Sequence, residues 1–415
     1  MTHVSADQRP GALADLKVLD LAGPIGVYCT KLLADLGADV VRVEPPAGDP
    51  MRHMGPFYQN DPSPDKSLYW WQHNTSKRGI TLDLEKPEGQ ALFKRLVKWA
   101  NVVVETFEPG YLDSLGLGYS VLRALNPQII LTSITPFGQT GPFAHWKGPD
   151  IVGQAKSGLM YAQGYPDRAP YPIASENAYW AAGTLAANGT MLAVHFREAG
   201  GEGQHVDVSM QAAMAVGGTA MPAFDIIHQV PLRGQPAPLM TGGGPPVRSI
   251  YPCKDGFVTF SAAAPGTQVD WVRDLLAEHG LGEEFDPRWL DMVWLRNNPP
   301  ERLKFEDLML RFFSRFTKWE LMELAFNRKN RVFIYSIDDA QDVVNSPQLK
   351  ARGFFHDVPH PELGTSIRYP GPPASLPATP ARITRRAPRV GEHNQEVYGE
   401  ALGLKTEELR RLQRE

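Results

Sequence analysis

The sequence predicts an α/β fold built on a parallel sheet, with a second, smaller domain beside it. Three observations predict this. Short apolar runs of strand length alternate with stretches of helical apolar spacing through the first half of the chain. A Gly/Pro turn, Gly23-Pro24-Ile25-Gly26, joins the first strand to the first helix. The 415 residues also exceed what one hydrophobic core usually serves.

The elements follow in order. Leu16–Leu21 (LKVLDL) reads as a strand, and Val27–Leu36 as a helix stopped by Gly37. Ala38–Glu44 (ADVVRVE) is a buried-type strand ended by Pro45-Pro46. Gly79–Leu84 is a further strand, and Pro87–Trp99 a helix with proline in its first turn. Asn101–Glu105 and Ile129–Ile134 are buried strands, the second followed by a Gly/Pro-rich loop over Thr135–Trp146. Ala178–Arg197 is a long helix rich in small residues. Gln204–Val208 is a last short strand, and another helix starts at Ser209. The β-α-β order implies parallel pairing.

Composition shifts near residue 225. Pro231–Pro246 is loop-like, Tyr251–Ala263 reads as a hairpin turning at Lys254-Asp255-Gly256, and Lys304–Phe316 and Lys318–Asn327 read as helices. This predicts a first domain over 1–225 and a smaller α+β domain over 226–345. The tail from Pro361 to Pro388 is Pro-rich and reads as extended, wrapping over a surface. A short charged helix follows Gly391.

Composition narrows the function. A net charge of −4 argues against a nucleic-acid binder. Two cysteines, Cys29 and Cys253, supply neither a disulfide framework nor a zinc ligand set, and suit a reducing cytoplasm. The N-terminus has no signal-like apolar core, and no stretch approaches the ~18–20 apolar residues of a membrane span. A soluble, cytoplasmic protein with small-molecule or protein partners and no metal is expected. The first turn has only Gly23 and Gly26 where a dinucleotide fingerprint needs three glycines. Gly26 reads either as a tight turn or as backbone approaching a phosphate at a helix start. Gly242-Gly243-Gly244 reads as a mobile lid or as a plain linker. Lys147, after a strand and its loop, reads as a phosphate or carboxylate partner or as a surface lysine. Arg42, inside a strand, is better read as pairing locally.

Several segments taken together resemble the family III CoA-transferases, the group of formyl-CoA transferase and carnitine CoA-transferase. They are LKVLDLAGP, LLADLGADVVRVEPPAGDPMR, NTSKRGITLDLEKPEGQALFKRL, VVVETFEPGYLDSLGLGY, NPQIILTSITPFGQTGP, GEGQHVDVSMQAAM, SPQLKARGFF and RAPRVGEHNQEV. They run in family order from about residue 16 to the C-terminus. The resemblance implies a large Rossmann-like domain built from both chain ends, with 346–415 as the return segment. It also implies a smaller middle domain, an interlocked ring-like dimer, and acyl-CoA and a carboxylic acid as substrates.

In that family an aspartate attacks the thioester and then carries CoA as an aspartyl thioester before passing it on, which is covalent catalysis by a carboxylate. The aspartate stands four residues before one glycine, with another glycine six further on. Here the glycines are Gly183 and Gly189, and the matching residue is Tyr179. A phenol with a pKa near ~10 is about one part in a thousand ionised at pH 7. It also has no carbonyl with which to carry CoA as a thioester. Glu176, three residues earlier, shares a helix face with Tyr179 if the helix has begun. It reads either as a replacement carboxylate or as a helix-start acid near the dipole's positive end, with Ser175 as N-cap.

The CoA-binding set that the resemblance implies is mixed. The family's asparagine near the thioester arm falls on Thr106, within Glu105-Thr106-Phe107-Glu108-Pro109-Gly110, where Phe107, Pro109 and Gly110 match. The phosphate lysine falls on Lys147, and the adenine-side arginine falls on Pro45 with Arg42 nearby. Gly26 completes the set, and Gly242–Gly244 match the family's lid. The related racemases place a histidine where this chain has Pro149, before Asp150, and they need the missing aspartate, so a racemase reading is poor.

Three functions follow from the resemblance. The chain is a subunit of a heteromeric CoA-transferase whose partner carries the aspartate, an arrangement that resembles benzylsuccinate CoA-transferase. Alternatively it is a self-sufficient acyl-CoA transferase, isomerase or hydrolase using Glu176, as a homodimer. The third reading is a non-catalytic acyl-CoA binder. The aromatic runs Phe57-Tyr58 and Tyr69-Trp70-Trp71, with Tyr161, read as loops that suit either a bulky acid or a hydrophobic core.

Overall fold

The computed structural model describes residues 9–163, 168–217, 247–261, 270–327, 333–405 and 407–408. The chain divides into two compact units. One comprises Met1–Leu159, Pro172–Gly218 and Lys350–Glu415, and the other Met160–Tyr171 and Thr219–Leu349.

The first unit is organised by a six-stranded parallel sheet. Its strands are β1 (Lys17–Leu21), β2 (Asp39–Glu44), β3 (Arg78–Thr81), β4 (Val102–Glu105), β5 (Ile130–Thr135) and β6 (His205–Ser209). The spatial order is β3-β2-β1-β4-β5-β6, with every neighbouring pair parallel. This is the doubly wound order, and its topological switch point lies between β1 and β4. The central strands are apolar almost throughout because helices cover both faces.

On one face Val18, Val40, Val102, Val104, Ile130 and Ile134 pack with residues of α1 (Val27–Asp35), α8 (Asn177–Glu198) and α9 (Met210–Gly217). On the other face Leu19, Val41, Val43, Val103 and Leu131 pack with Phe93, Leu96 and Val97 of α3 (Pro87–Trp99) and Leu122 of α5 (Tyr119–Leu125). The C-terminal helix Asn394–Leu402 joins this second layer. It buries Val397 and Tyr398, and the Tyr398 hydroxyl donates to the Thr81 carbonyl at 2.8 Å.

The helix predicted over Pro87–Trp99 forms with those bounds, and the other strands and helices of the first half form within two or three residues of expectation. Two regions differ. Leu68–Asn74 is a helix, α2, where the aromatic run reads as a loop. Ser67 caps it by accepting from the Trp70 N–H, and Trp70 and Trp71 are buried in a small core with Met51, Val358 and Tyr369. The tail from Pro361 reads as wrapping over a surface, yet its first part forms a strand, β11 (Thr365–Pro370), paired antiparallel with β10 (Phe355–His360) just before it and turning through Gly364. Gly364 has a φ of +65°, which glycine adopts without strain. Pro361 sits in the short 3-10 turn between the strands, where it blocks no ladder bond.

The second unit holds a three-stranded antiparallel sheet, β7 (Ile250–Cys253), β8 (Gly256–Ser261) and β9 (Phe333–Ile337). Helices at Asp270–Glu278, Pro299–Phe313 and Lys318–Asn327 build its core around Tyr251, Phe260, Phe305, Phe312 and Phe313. Among the described residues no helix is long and apolar enough to cross a membrane.

Candidate functional site

The carboxyl ends of β1 and β4 converge on one turn. Thr106, just past β4, accepts the Gly23 N–H through Oγ1 at 2.7 Å. A Cβ on Gly26 would lie 2.6 Å from the Thr106 methyl and 2.7 Å from Ile134 Cδ1, so only glycine lets the start of α1 approach this strand end. Phe107 follows, its N–H donating to Glu105 Oε2 at 2.6 Å and its ring 4.8 Å from that of Tyr111. Pro109 and Gly110 complete the turn into α4 (Tyr111–Ser114), with Gly110 at a φ of +87°. Lys147, in the loop after β5, stands 4.0 Å from Glu108 of this turn, and its side chain is 90% exposed. Gly26, Thr106, Phe107, Pro109, Gly110 and Lys147 therefore gather at the switch point, the usual place for a ligand in an open α/β sheet.

Arg42 does not join them, which corrects its place in the expected CoA-binding set. It is 1% exposed, pairs with Asp20 at 2.9 Å and with Asp49, and donates to the Ala22 carbonyl. A guanidinium held by two buried carboxylates is a structural element. The expected lid Gly242, Gly243 and Gly244 lies outside the described residues.

Tyr179, expected at the family's nucleophile position, lies in the first turn of α8. Gly183 fixes the helix: a Cβ there would come within 2.9 Å of Tyr28 Cβ and 3.0 Å of the Cys29 nitrogen, so α8 lies close against α1. Tyr179 is half-buried one turn earlier. Ser175 is not the N-cap, because its φ of +72° takes it out of the geometry a cap needs, and Glu176 stands there without a side-chain capping bond. The cap comes from elsewhere. Asp150, first residue of α6 (Asp150–Lys156), accepts the Ala178 and Tyr179 N–H groups at 2.7 and 3.1 Å. Its other oxygen takes the Gln154 amide at 2.6 Å.

Glu176 is half-buried and turned to α2, where the Tyr69 hydroxyl donates to its Oε2 at 2.9 Å. The Tyr69 ring lies 4.5 Å from that of His73. Tyr69, Asp150, Glu176 and Tyr179 thus form one cluster of acids and phenols. Burial raises the pKa of Glu176, Asp150 adds to the rise, and the Tyr69 bond opposes it. Burial likewise raises the Tyr179 phenol, so it is neutral at physiological pH. Burial, then the neighbouring Glu176, raises Tyr69, and burial drives His73 down to about 4. The arrangement can hold or move a proton at Glu176, while both oxygens of its aspartate, Asp150, are taken up by the start of α8 and by Gln154.

The profile of CoA-transferase family III matches residues 13–394. The chain belongs to CoA-transferase family III. It is 34% identical over 393 residues to the succinyl-CoA:(R)-benzylsuccinate CoA-transferase subunit BbsE of Thauera aromatica, covering 92% of this chain and 93% of that protein. It is 32% identical over 416 residues to a succinyl-CoA–D-citramalate CoA-transferase of Chloroflexus aurantiacus, covering 99% of both. Among solved structures it is similar to a CAIB/BAIF family protein from Brucella suis, with a TM-score of 0.83, 30% identity, and coverage of 95% of this chain and 100% of that one.

Sequence reasoning placed Tyr179 and Glu176 on this family III chain and missed the residues that hold them. Asp150 caps a helix that begins 27 residues after it, and Tyr69 reaches Glu176 across 107 residues. Neither contact has a local signal. Glu105 was visible within its motif without a role. A surface groove in the second unit, lined by Glu284, Asp286, Arg288, Glu301, Lys304 and Arg311, contains none of these positions. Its charges pair among themselves. Among the described residues no group of three or more His, Cys, Asp or Glu is placed to hold a metal ion.

Proposed function

We propose that this chain is the aspartate-lacking subunit of a heteromeric acyl-CoA:carboxylate CoA-transferase, with CoA bound at the β1–β4 switch point and the covalent step carried out by an aspartate of a family III partner. One observation carries the reading: the position that needs a carboxylate holds the half-buried, neutral phenol of Tyr179. A phenol can form an ester, but it cannot become the acyl half of a CoA thioester. Two facts support assembly. A relative covering nine-tenths of both chains is itself named as a CoA-transferase subunit. Leu185, Leu192 and Phe196 share one side of α8 and are 36%, 70% and 55% exposed, an apolar strip suited to another chain. The smaller middle domain and the interlocked dimer belong to the same reading, as does a cytoplasmic location.

A second reading is favoured by the Tyr69 bond. A carboxylate oriented by a phenol beside the nucleophile position is the arrangement a self-sufficient enzyme using Glu176 would need.

Intact-mass spectrometry after incubation with succinyl-CoA and candidate acids separates the two. The subunit reading expects no adduct on this chain alone, and an adduct on the partner when an aspartate-bearing family III subunit is added. It also expects Tyr179→Asp to gain a covalent CoA adduct. An adduct on the unmodified chain, lost in Glu176→Gln, would establish the second reading instead.

A further inference from the structure

Glu105 ends β4 at the carboxyl edge of the sheet and is 4% exposed. Its Oε2 accepts the Phe107 N–H at 2.6 Å, and Ser133, its register partner on β5, stands beside the same carboxyl group and favours its charged form. Ser133 Oγ in turn lies 2.8 Å from Nε2 of His205 on β6. His205 is solvent-exposed, with its ring 5.5 Å from that of Tyr119. A line of three polar side chains thus crosses β4, β5 and β6 from a buried carboxyl group to water. The strongest charges acting on Glu105 are both acids, Asp207 on β6 and Asp113 on α4. Asp207 is occupied by the Gln139 N–H at 3.0 Å. Burial pushes the Glu105 carboxyl up to about 7, with the Asp207 and Asp113 charges adding to the rise and the Ser133 and Phe107 bonds opposing it. Packing by Tyr119 and Ser133 desolvates part of the His205 ring and lowers it although the residue reaches solvent, and Asp207 and Asp113 pull it back.

The same carboxyl group therefore grips the turn that carries Thr106, Phe107 and Gly110. Thr106 passes that grip on to Gly23 at the start of α1.

We propose that Glu105 is a positioning residue for CoA-thioester binding: ionised, it fixes the Thr106–Gly110 turn through the Phe107 N–H, and protonated, it loosens that turn. The proposal rests on the CoA-binding reading above. Hydrogen bonds to a carboxylate are about twice as strong as those to a neutral acceptor, so one such bond is worth roughly a fivefold change in affinity. Acyl-CoA binding is expected to tighten as pH rises from 6 to 8.

The test uses the full-length protein labelled with 15N-phenylalanine, the Phe107 amide being assigned through Phe107→Leu. The amide is expected to shift with a single proton near neutrality, to stop shifting in Glu105→Gln, and to titrate at higher pH in Ser133→Ala. In parallel, calorimetry with acetyl-CoA is expected to show roughly fivefold weaker binding at pH 6 than at pH 8, with the pH difference reduced in Glu105→Gln. That comparison cancels the titration of CoA itself. A Phe107 amide that does not move between pH 5.5 and 8.5 overturns the proposal. So does an affinity whose pH dependence is the same in both proteins. Absence of acetyl-CoA binding at every pH would remove the ligand from the proposal, and would sink the CoA-binding reading while leaving the control of the turn standing on the amide titration.

Discussion

The first unit contains two buried polar clusters of opposite character. Beneath β1 and β2, Asp20 accepts from Lys77 Nζ and Arg42 at 2.9 Å each and from Thr30 at 2.8 Å. Beside it Arg52 binds Glu44 through two bonds of 2.6 and 2.8 Å, its guanidinium 3.9 Å above the Trp70 ring. Burial alone would raise the Asp20 pKa, but Lys77 and Arg42 outweigh it and hold the group below its usual range. At the carboxyl edge the residues are Tyr69, Asp150, Glu176 and Tyr179, with Glu105 near the turn, and the carboxyls Glu105 and Glu176 titrate upward. Asp20 and Glu105, both buried, behave oppositely because Asp20 faces cations and Glu105 faces acids. The difference teaches how to separate scaffold from site. The matched charges around Asp20 hold the fold together, whereas Glu105, a buried acid without a counter-ion, keeps a labile proton.

The largest effect is expected at Asp20, which holds both buried cations. Asp20→Ala leaves two buried cations without their shared partner and is expected to cost about 3–5 kcal/mol, read by urea unfolding. A loss below about 1 kcal/mol would mean that the cluster relaxes to water.

The next effect is at Glu105 and has the opposite sign from an ordinary paired carboxylate. Its folded pKa lies above that of the unfolded chain, so the folded state binds the extra proton between about pH 4.5 and 7. Its contribution to stability is present below that window and is lost as pH rises through about 7. The change is on the order of 3 kcal/mol, and Glu105→Gln should flatten that part of the stability–pH curve.

The smallest effect is at Tyr69. Tyr69→Phe removes a bond that lowers the Glu176 pKa, so the Glu176 carboxyl should titrate at higher pH in 13C-glutamate spectra, while global stability changes by about 1 kcal/mol or less. An unchanged Glu176 titration would show that the Tyr69 contact does not persist in solution.

The sequence alone determined the α/β class, the strand–helix alternation of the first half and the membership of family III, because these depend on local apolar spacing and on short motifs read along the chain. The Gly183 spacing that located Tyr179 has its physical reason in the close packing of α8 on α1. Tertiary structure decided the rest. It turned Tyr69-Trp70-Trp71 into a helix by giving two tryptophans a core to enter. It made Arg42 a structural cation by setting Asp20 and Asp49 around it. It capped α8 with Asp150 in place of Ser175, and it tied Glu105 to Ser133 and His205 across three strands. Each of these contacts joins residues distant in sequence. Whether a buried polar group is paired, and with which charge, depends on what the fold brings within hydrogen-bond reach.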